Sequence, residues 1–375
     1  MIKLILIIDP RNLIFGTAST LNRHKVYSET LTKVTQDRLK LGVMSFQSRE
    51  GFSIELIDNM YSIKISKSLI FQRKAWKSFV TEYKALFNTH LLVAGDPWES
   101  FLSATLFSRM TSRNSRIQVQ AHGDIGNRLW IKLNWRNRIR SLIALLTLRF
   151  ATEIRATTEL QAKQLTSQYG VNPKKIFVVP VPSFYLSHEV ALTLNSARPN
   201  SLGLVGRIEQ DRGLDTFVEL TKKLAQVNQD FSVVVVGSGN SRDKLENKLG
   251  QLLPPSRISF LGNIDPANMY MAWNKLGVLV SCAPAESYGR AMRESLVHGI
   301  PVWATQSSGA IDLFKLARDG MEFLNLSDSA DELNETYGRL LHIGIDPSLR
   351  SALLKSDQQV ISNLVSSWLE SPVKS

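Results

Sequence analysis

The chain has 375 residues, which is enough for two domains with full cores, and its 43% apolar content is ordinary for a globular protein. Its single cysteine, Cys282, excludes an internal disulfide and a cysteine-based metal site. The apolar start of the chain is eight residues long and contains Lys3, so it predicts a first strand rather than a signal peptide or a membrane span. We therefore expect a cytoplasmic protein.

The net charge of +12 is concentrated in the first half of the chain. Residues 1–183 contain 27 Lys and Arg against 12 Asp and Glu, whereas the remaining residues contain 18 against 21. Such an asymmetry indicates that one half faces anions or an anionic membrane surface.

The first half reads as alternating buried strands and helices. Met1 to Ile8 is a predicted strand, and the loop after it contains Gly16. Two later apolar runs, 91–94 and 117–121, predict further buried strands, and His122 directly follows the second. Open α/β sheets bind ligands at the carboxyl ends of their strands, so His122 is a candidate ligand-binding residue. The alternative is a histidine that is hydrogen-bonded within its loop.

The stretch from Asn127 to Phe150 predicts a basic amphipathic helix. Six Lys and Arg and two Trp are interleaved with aliphatic residues, and no acidic residue lies between Asp124 and Glu153. This pattern suits an interface with anionic lipid. The alternative is a helix packed on its own sheet with a solvated arginine face. A nucleic-acid patch is not expected, because no known nucleic-acid-binding motif accompanies the charge.

The second half opens after a linker at 184–201. The apolar run Leu202 to Val205 is followed by Gly206-Arg207 and then by Arg212-Gly213 before a helix. Alone, the two arginines would be surface charges or phosphate ligands. The next predicted strands are followed by glycine turns, at Gly237 and at Gly262-Asn263.

The stretch from Glu286 to Val302 carries most of the functional signal. It follows a buried strand at 276–282, and Gly289 precedes a helical segment that Gly299 ends. A helix start suits a phosphate, and Glu286 and Glu294 would flank such an anion at two depths. The alternative is a capped helix with one loop glutamate and one surface glutamate.

This stretch resembles the E-x7-E motif of retaining glycosyltransferases with the GT-B fold, of the family 4 type (glycosyl transferases group 1). Glu286 and Glu294 match its two glutamates, and Tyr288-Gly289 matches its aromatic-glycine pair. The tail 299–302 matches as well, although His298 stands where a small residue is more usual. Gly206-Arg207 and Arg212-Gly213 resemble the family's Gly-Arg and Lys-Gly pairs.

The resemblance implies an α/β protein of the GT-B class, with two doubly wound Rossmann-like domains facing a central cleft. Residues 1–183, joined by a C-terminal helix at about 356–375, would form the N-terminal acceptor domain. Residues 184–355 would form the C-terminal nucleotide-sugar donor domain.

The implied activity is the retaining, metal-independent transfer of a sugar from a nucleotide-diphosphate sugar to an acceptor hydroxyl. The acceptor would be a lipid-linked or surface-polysaccharide precursor at the cytoplasmic membrane face, with the basic domain peripheral on an anionic surface. No cofactor, metal or nucleic acid is expected. The alternatives are a non-catalytic nucleotide-sugar-binding protein and an epimerase of the same fold.

The resemblance also assigns site residues. Arg207 and Arg212 would stabilise the diphosphate, Glu286 would hold hydroxyls of the donor sugar, and His122 would position that sugar. Glu294 would hold the ribose. The other donor-binding positions implied are Tyr288, Gly289, Arg290, Gly206, Gly237, Gly262, Asn263 and Gly16.

Overall fold

The computed structural model describes residues 1–16, 18–47, 49–111, 115–182, 198–265 and 268–370. The chain divides into two compact units. Unit 1 comprises Met1–Gly126, Asn134–Pro180 and Gln359–Ser375, and unit 2 comprises Asn127–Leu133 and Val181–Gln358. Most of the linker expected at 184–201 lies outside the described residues.

Unit 1 is built on one sheet. Its strands are β1 (Ile2–Ile8), β2 (Leu39–Gln47), β3 (Phe52–Ile57), β4 (Met60–Ser66), β5 (Phe87–Ala94), β6 (Arg116–Ala121), β7 (Glu153–Ala156) and β8 (Ile176–Val178). Their order is β3-β4-β2-β1-β5-β6-β7-β8. All neighbours are parallel except β3 and β4, which form an antiparallel edge pair. Strand β1 lies inside the sheet, which explains its nearly unbroken apolar run.

The helices of the first half are α1 (Leu13–Gly16), α2 (Ala18–Thr35), α3 (Arg73–Leu86), α4 (Glu99–Met110), α5 (Arg128–Leu133), α6 (Trp135–Thr147) and α7 (Glu159–Tyr169). The single helix expected over 127–150 is therefore wrong. The chain breaks at Asn134, whose side chain accepts a hydrogen bond from the N–H of Asn137 at 2.8 Å and caps α6. Helix α5 groups with unit 2, where Asn127 Nδ2 donates to the carbonyl of Pro284 at 3.4 Å.

Unit 2 is built on a parallel sheet of six strands. They are β9 (Ser201–Val205), β10 (Ser232–Val236), β11 (Ile258–Gly262), β12 (Val278–Ser281), β13 (Val302–Ala304) and β14 (Met321–Phe323), in the order β11-β10-β9-β12-β13-β14. The helices are α8 (Leu214–Val227), α9 (Arg242–Gly250), α10 (Met269–Trp273), α11 (Arg290–Val297), α12 (Ser308–Phe314), α13 (Ala330–His342) and α14 (Pro347–Leu369).

The sheet of unit 2 buries both of its faces. Along β10, Val233 and Val235 belong to one apolar cluster, whereas Val234 and Val236 belong to another. Successive side chains of a strand point to opposite faces, so the two clusters lie on the two sides of the sheet. Residues of α8, α9 and α13 complete the first cluster, and residues of α10, α11 and α12 complete the second. This is a doubly wound α/β unit.

Each sheet reverses its strand order next to its first strand. In unit 1, β1 lies between β2 and β5, and in unit 2, β9 lies between β10 and β12. The crevice beyond the carboxyl ends of such a strand pair is where open α/β sheets bind ligands. The two switch points are therefore β1/β5 and β9/β12.

Two side chains, one buried and one partly buried, tie distant segments together. In unit 1, Trp368 of α14 is fully buried, and its Nε1 donates to Gln118 Oε1 at 3.1 Å. In unit 2, the Arg198 guanidinium donates to the carbonyls of Gly299, Leu340, Leu341 and Ile343 at 2.6–3.2 Å. Those carbonyls lie at the carboxyl ends of α11 and α13, where backbone acceptors have no partner within the helix.

Within the described part of the chain, no helix combines the length and the apolar character that crossing a membrane requires.

Candidate active site

The switch point of unit 2 is bridged by an ion pair. The loop after β9 carries Arg212, and the loop after β12 carries Glu286. Arg212 Nη2 lies 2.8 Å from Glu286 Oε2, and both side chains are mostly buried. The topology and the side chains thus identify the same crevice, and they place a cation and a carboxylate in it.

Glycines allow the loops at this edge to approach one another. Gly237 has φ +127°, and a Cβ added there would come within 1.9 Å of the carbonyl oxygen of Gly206. Gly289 has φ +76° and is the residue before α11, as the sequence predicts. A side chain at Gly237 would collide with the backbone of Gly206, and one at Gly289 would collide with the side chain of Met292.

The Glu286 carboxylate is held through both oxygens. Oε2 accepts from Arg212, and Oε1 accepts from the N–H of Gly289 at 3.3 Å. The carbonyl of Glu286 also accepts from the N–H of Gly309 at 2.6 Å, which fixes the loop from the β13 side. The carboxylate is therefore placed by its surroundings and does not rotate freely.

Glu294 lies in the second turn of α11 and is largely buried. Arg290, at the start of the same helix, is exposed, with its Nε 3.7 Å from Glu294 Oε1. Glu294 and Glu286 are thus on the helix and on the loop that precedes it, at two depths along one axis, as the sequence predicts.

The remaining predicted donor residues of unit 2 lie on the loops after β9, β10 and β11. Arg207 is exposed, and its Nη2 lies 3.8 Å from Asp211 Oδ2. Gly262 adopts a φ of +68° and accepts a hydrogen bond through its carbonyl from Gly237 N at 2.8 Å. Asn263 follows it and is exposed. These groups share the carboxyl edge of the sheet.

A second cation, Arg293, supports the loop and was missed by sequence reasoning. Its guanidinium lies 4.1 Å from the ring centroid of Tyr288, and its Nε donates to the carbonyl of Tyr288 at 3.3 Å. Its Nη2 lies 3.3 Å from Asp312 Oδ2. Asp312 therefore anchors an arginine that holds the Tyr288-Gly289 turn. The sequence feature that could have revealed Arg293 is its place on the apolar face of α11, where a charged side chain requires a partner.

In unit 1, His122 follows β6 and has an exposed side chain. Its Nε2 lies 2.7 Å from Gln120 Oε1, which also accepts from Arg155 Nη1 at 3.3 Å. Because arginine can only donate, this contact supports an oxygen at Oε1 and hence a proton on Nε2 of His122. At pH 7, above the ordinary histidine pKa of about 6.5, the imidazole is mostly neutral.

Two other residues of the first half are described by their surroundings. His24 is buried, and its Nδ1 lies 2.7 Å from the carbonyl of Thr20. Gly16 ends α1 in unit 1, and a Cβ added there would meet no atom within 4 Å. The space around Gly16 therefore does not require a glycine.

Among the residues that the structure describes, no three His, Cys, Asp or Glu side chains come together in a metal-ligand arrangement.

Residues 193–353, which contain the ion pair and both glutamates of the motif, match the model of the family "Glycosyl transferases group 1". The resemblance to this family is confirmed over that part of the chain.

One curated relative is 2-deoxystreptamine glucosyltransferase from Streptomyces kanamyceticus, which is 27% identical over 226 residues. The match covers 58% of this chain and 57% of the relative, so the matched region spans little more than half of that protein.

Two solved structures cover nearly the whole chain. Sucrose-phosphate synthase from Thermosynechococcus elongatus has a TM-score of 0.68 at 16% identity and covers 97% of this chain and 95% of its own. Anabaena HepE, solved with UDP and glucose, has a TM-score of 0.64 at 17% identity and covers 98% and 100%. The predicted fold class, a GT-B protein with two Rossmann-like α/β domains, is confirmed.

Proposed function

We propose that this protein is a retaining glycosyltransferase that moves a sugar from a nucleotide-diphosphate sugar to an acceptor hydroxyl. The observation that carries the proposal is the 2.8 Å contact between Arg212 and Glu286 across the switch point of unit 2. The family match over 193–353 and the similarity to a glucosyltransferase support the same class of reaction.

Charge development in the reaction explains why these residue types are needed. Breaking the bond between the sugar carbon and the diphosphate oxygen builds negative charge on the diphosphate. Arg207 and Arg212 would stabilise that charge, and the N–H groups around Tyr288-Gly289 at the start of α11 would add to it. A guanidinium can bind two phosphate oxygens at once, so Arg212 can replace the lysine that is common at this position in the family.

The ion pair defines what a donor would displace on binding. In the structure, Glu286 neutralises Arg212. A bound diphosphate would compete for Arg212, and Glu286 Oε2 would then be available to hydroxyls of the donor sugar. One exchange of partners would thus couple diphosphate binding to sugar positioning.

The other predicted residues have supporting roles in the proposal. Glu294 would accept hydrogen bonds from the ribose hydroxyls, and His122, being neutral, would bind a hydroxyl of the transferred sugar. The donor-binding set is completed by Tyr288, Arg290, Gly206, Gly237, Gly262, Asn263 and Gly16. Arg207 and Arg212 would take the place of a divalent cation, so we expect activity in EDTA.

Turnover of a panel of UDP-, GDP-, ADP- and CDP-sugars tests the proposal, with release of nucleoside diphosphate as the readout. We expect one donor to be used, with retention of its anomeric configuration when the product is examined by NMR. Glu286→Gln should lower kcat by about 100-fold, as the loss of one transition-state contact does. The matched control Glu335→Gln, an exposed glutamate of α13, should act as wild type. Equal rates for Glu286→Gln and the control would contradict the proposal.

We also propose that unit 1 docks on an anionic membrane surface, where a lipid-linked or surface-polysaccharide precursor would be the acceptor. Helix α6 and the residues after it expose five apolar side chains at helical spacing, namely Trp135, Ile139, Leu142, Leu146 and Phe150. The opposite face of α6 buries Asn137, Ala144 and Thr147. Exposed arginines at 136, 138 and 149 flank the apolar stripe, and this combination fits an anionic lipid interface. Such a location would be peripheral and cytoplasmic.

Vesicle flotation tests the docking. Wild type should float with vesicles that contain phosphatidylglycerol and not with neutral phosphatidylcholine vesicles. Leu142→Ser, at a residue that is 60% exposed on α6, should weaken flotation. Leu56→Ser changes an equally exposed leucine on β3 (61%) and should leave it unchanged. Equal behaviour of the two variants, or equal binding to both lipids, would contradict docking through α6.

A further inference from the structure

A pocket lies at the switch point of unit 1. It has a volume of about 290 Å³ and is lined by residues that follow three neighbouring strands. Arg11 follows β1, Asp96 and Trp98 follow β5, and His122 follows β6, while Arg140 of α6 completes the wall. Because β1/β5 is the switch point of this sheet, its topology indicates a ligand site at the same place.

The only carboxylate of the pocket lining is already committed to the protein. Asp96 is buried, and its Oδ1 accepts from the N–H groups of Trp98 and Ser100 at 3.0 and 3.1 Å. Its Oδ2 accepts from the Ser100 hydroxyl at 2.9 Å. Asp96 therefore caps the start of α4, and its hydrogen-bonding capacity is largely used within the protein.

The two arginines of the lining are less committed. Arg11 is half exposed, with contacts of 3.9 Å to Asp96 Oδ2 and 3.4 Å to Glu99 Oε2. Arg140 lies over the Trp98 ring at 5.4 Å from its centroid, and its Nη1 lies 3.5 Å from Asn137 Oδ1. Contacts of 3.4–3.9 Å are long for charge-assisted hydrogen bonds, so an anion that enters the pocket can replace them at small cost.

The geometry points to a site for an acid group, a phosphate or a carboxylate, that is carried by the saccharide acceptor. Arg11 and Arg140 would bind its oxygens bidentately. The indole of Trp98 would pack against the adjoining sugar ring of the acceptor. The assignment to the acceptor rests on the proposed transferase activity, whereas the anion site itself does not.

Calorimetry with three matched probes, glucose, glucose 6-phosphate and glucuronate, tests the site on the full chain. We expect wild type to bind at least one of the two acids at least about tenfold more tightly than glucose, because a charge-assisted contact is worth about 1.5–3 kcal/mol. The preferred acid distinguishes a phosphorylated acceptor from a uronic acid. Equal binding of all three probes would overturn the proposal.

Variants locate the binding within the chain. Arg11→Ala and Arg140→Ala should each raise the Kd of the preferred acid about tenfold or more, and leave glucose unchanged. Arg109→Ala, at an exposed arginine near the end of α4, is the matched control. Arg207→Ala removes a cation from unit 2 and should also leave the acid's Kd unchanged. A loss confined to Arg207→Ala, or equal affinities for Arg140→Ala and Arg109→Ala, would overturn the site.

The same proteins separate this proposal from the transferase proposal. Arg140→Lys keeps the charge and should bind the acid with intermediate affinity. This variant replaces Arg140→Ala in the test if Arg140→Ala does not fold. Nucleoside diphosphate binding should be the same in wild type, Arg11→Ala and Arg140→Ala. Acid binding without any nucleotide binding would refute the transferase and retain the anion site, whereas the reverse result would refute the anion site alone.

Discussion

Arg212 Nη2 lies 2.8 Å from Glu286 Oε2, and this pair joins the loop after β9 to the loop after β12. The two residues are 74 positions apart in the chain. The motif analysis gave them separate partners, a diphosphate for the arginine and a sugar for the glutamate. In the structure each is the other's partner, so in the proposed function a donor would have to displace one from the other.

A double-mutant cycle measures this coupling. Arg212→Ala, Glu286→Ala and the double variant should show a coupling of about 1 kcal/mol in the free energy of unfolding, because both groups retain some exposure to solvent. Saturating nucleoside diphosphate should reduce the coupling, since the diphosphate then takes the arginine. Urea unfolding with and without nucleotide measures both values. A coupling that is unchanged by a nucleotide that binds would contradict the exchange of partners.

Arg293 should matter for donor binding without touching the donor. Arg293→Lys keeps a charge near Asp312 but loses the planar contact with the Tyr288 ring. We expect KM for the nucleotide sugar to rise several-fold and the melting temperature to fall. Arg318→Lys, at an exposed arginine in the same unit, should change neither value. A normal KM in Arg293→Lys would show that the Tyr288-Gly289 turn does not depend on this support.

Arg198 should be one of the strongest single contributors to the stability of unit 2. Arg198→Ala removes the guanidinium that donates to the carbonyls of four residues at or just past two helix ends. The expected loss in the free energy of unfolding is about 3 kcal/mol. Thermal and urea unfolding measure it, with Arg318→Ala as the exposed control. A loss no larger than that of the control would mean that the carbonyls find other donors.

His24 should make stability depend on pH. Burial, and secondarily the neighbouring Arg23, lower its pKa from 6.5 to about 4, while the hydrogen bond to Thr20 opposes the shift. Between pH 4 and 6.5 the unfolded chain binds a proton that the folded protein does not, so stability falls as the pH drops through this window. The slope from one such group is at most about 1.4 kcal/mol per pH unit. In His24→Gln the melting temperature should fall less between pH 6.5 and 4 than in wild type. Parallel curves would exclude this role.

The parts of the fold that follow from local pattern could be predicted from the sequence. Buried strands such as β1 and β12 are continuous apolar runs, and the turn at Gly289 and the helix end at Gly299 have the positive φ that glycine tolerates. The break at Asn134 could also be predicted from the sequence, because asparagine is a strong N-cap residue. The expectation of a single helix rested on the amphipathic spacing, which continues across Asn134.

The contacts that could not be predicted join residues far apart in the chain. Arg198 reads as a linker charge, yet it meets carbonyls about 100 and 140 positions away. His298, unusual for the motif, stacks on Trp273 with ring centroids 5.6 Å apart, and nothing near it in sequence indicates that partner. The pocket of unit 1 is likewise formed by residues that follow β1, β5 and β6. These strands are far apart in the chain and become neighbours only through the order of the sheet.

The central claim is that the crevice of unit 2 binds a nucleotide diphosphate through Arg212 and the two glutamates of the motif. Thermal stabilisation by UDP, GDP, ADP and CDP, with and without EDTA, tests it on wild type, Glu294→Ala and the control Glu335→Ala. We predict that one nucleotide raises the melting temperature of wild type and the control but not of Glu294→Ala, and that EDTA has no effect. Stabilisation by none of the four, or equal stabilisation of Glu294→Ala, would contradict the account.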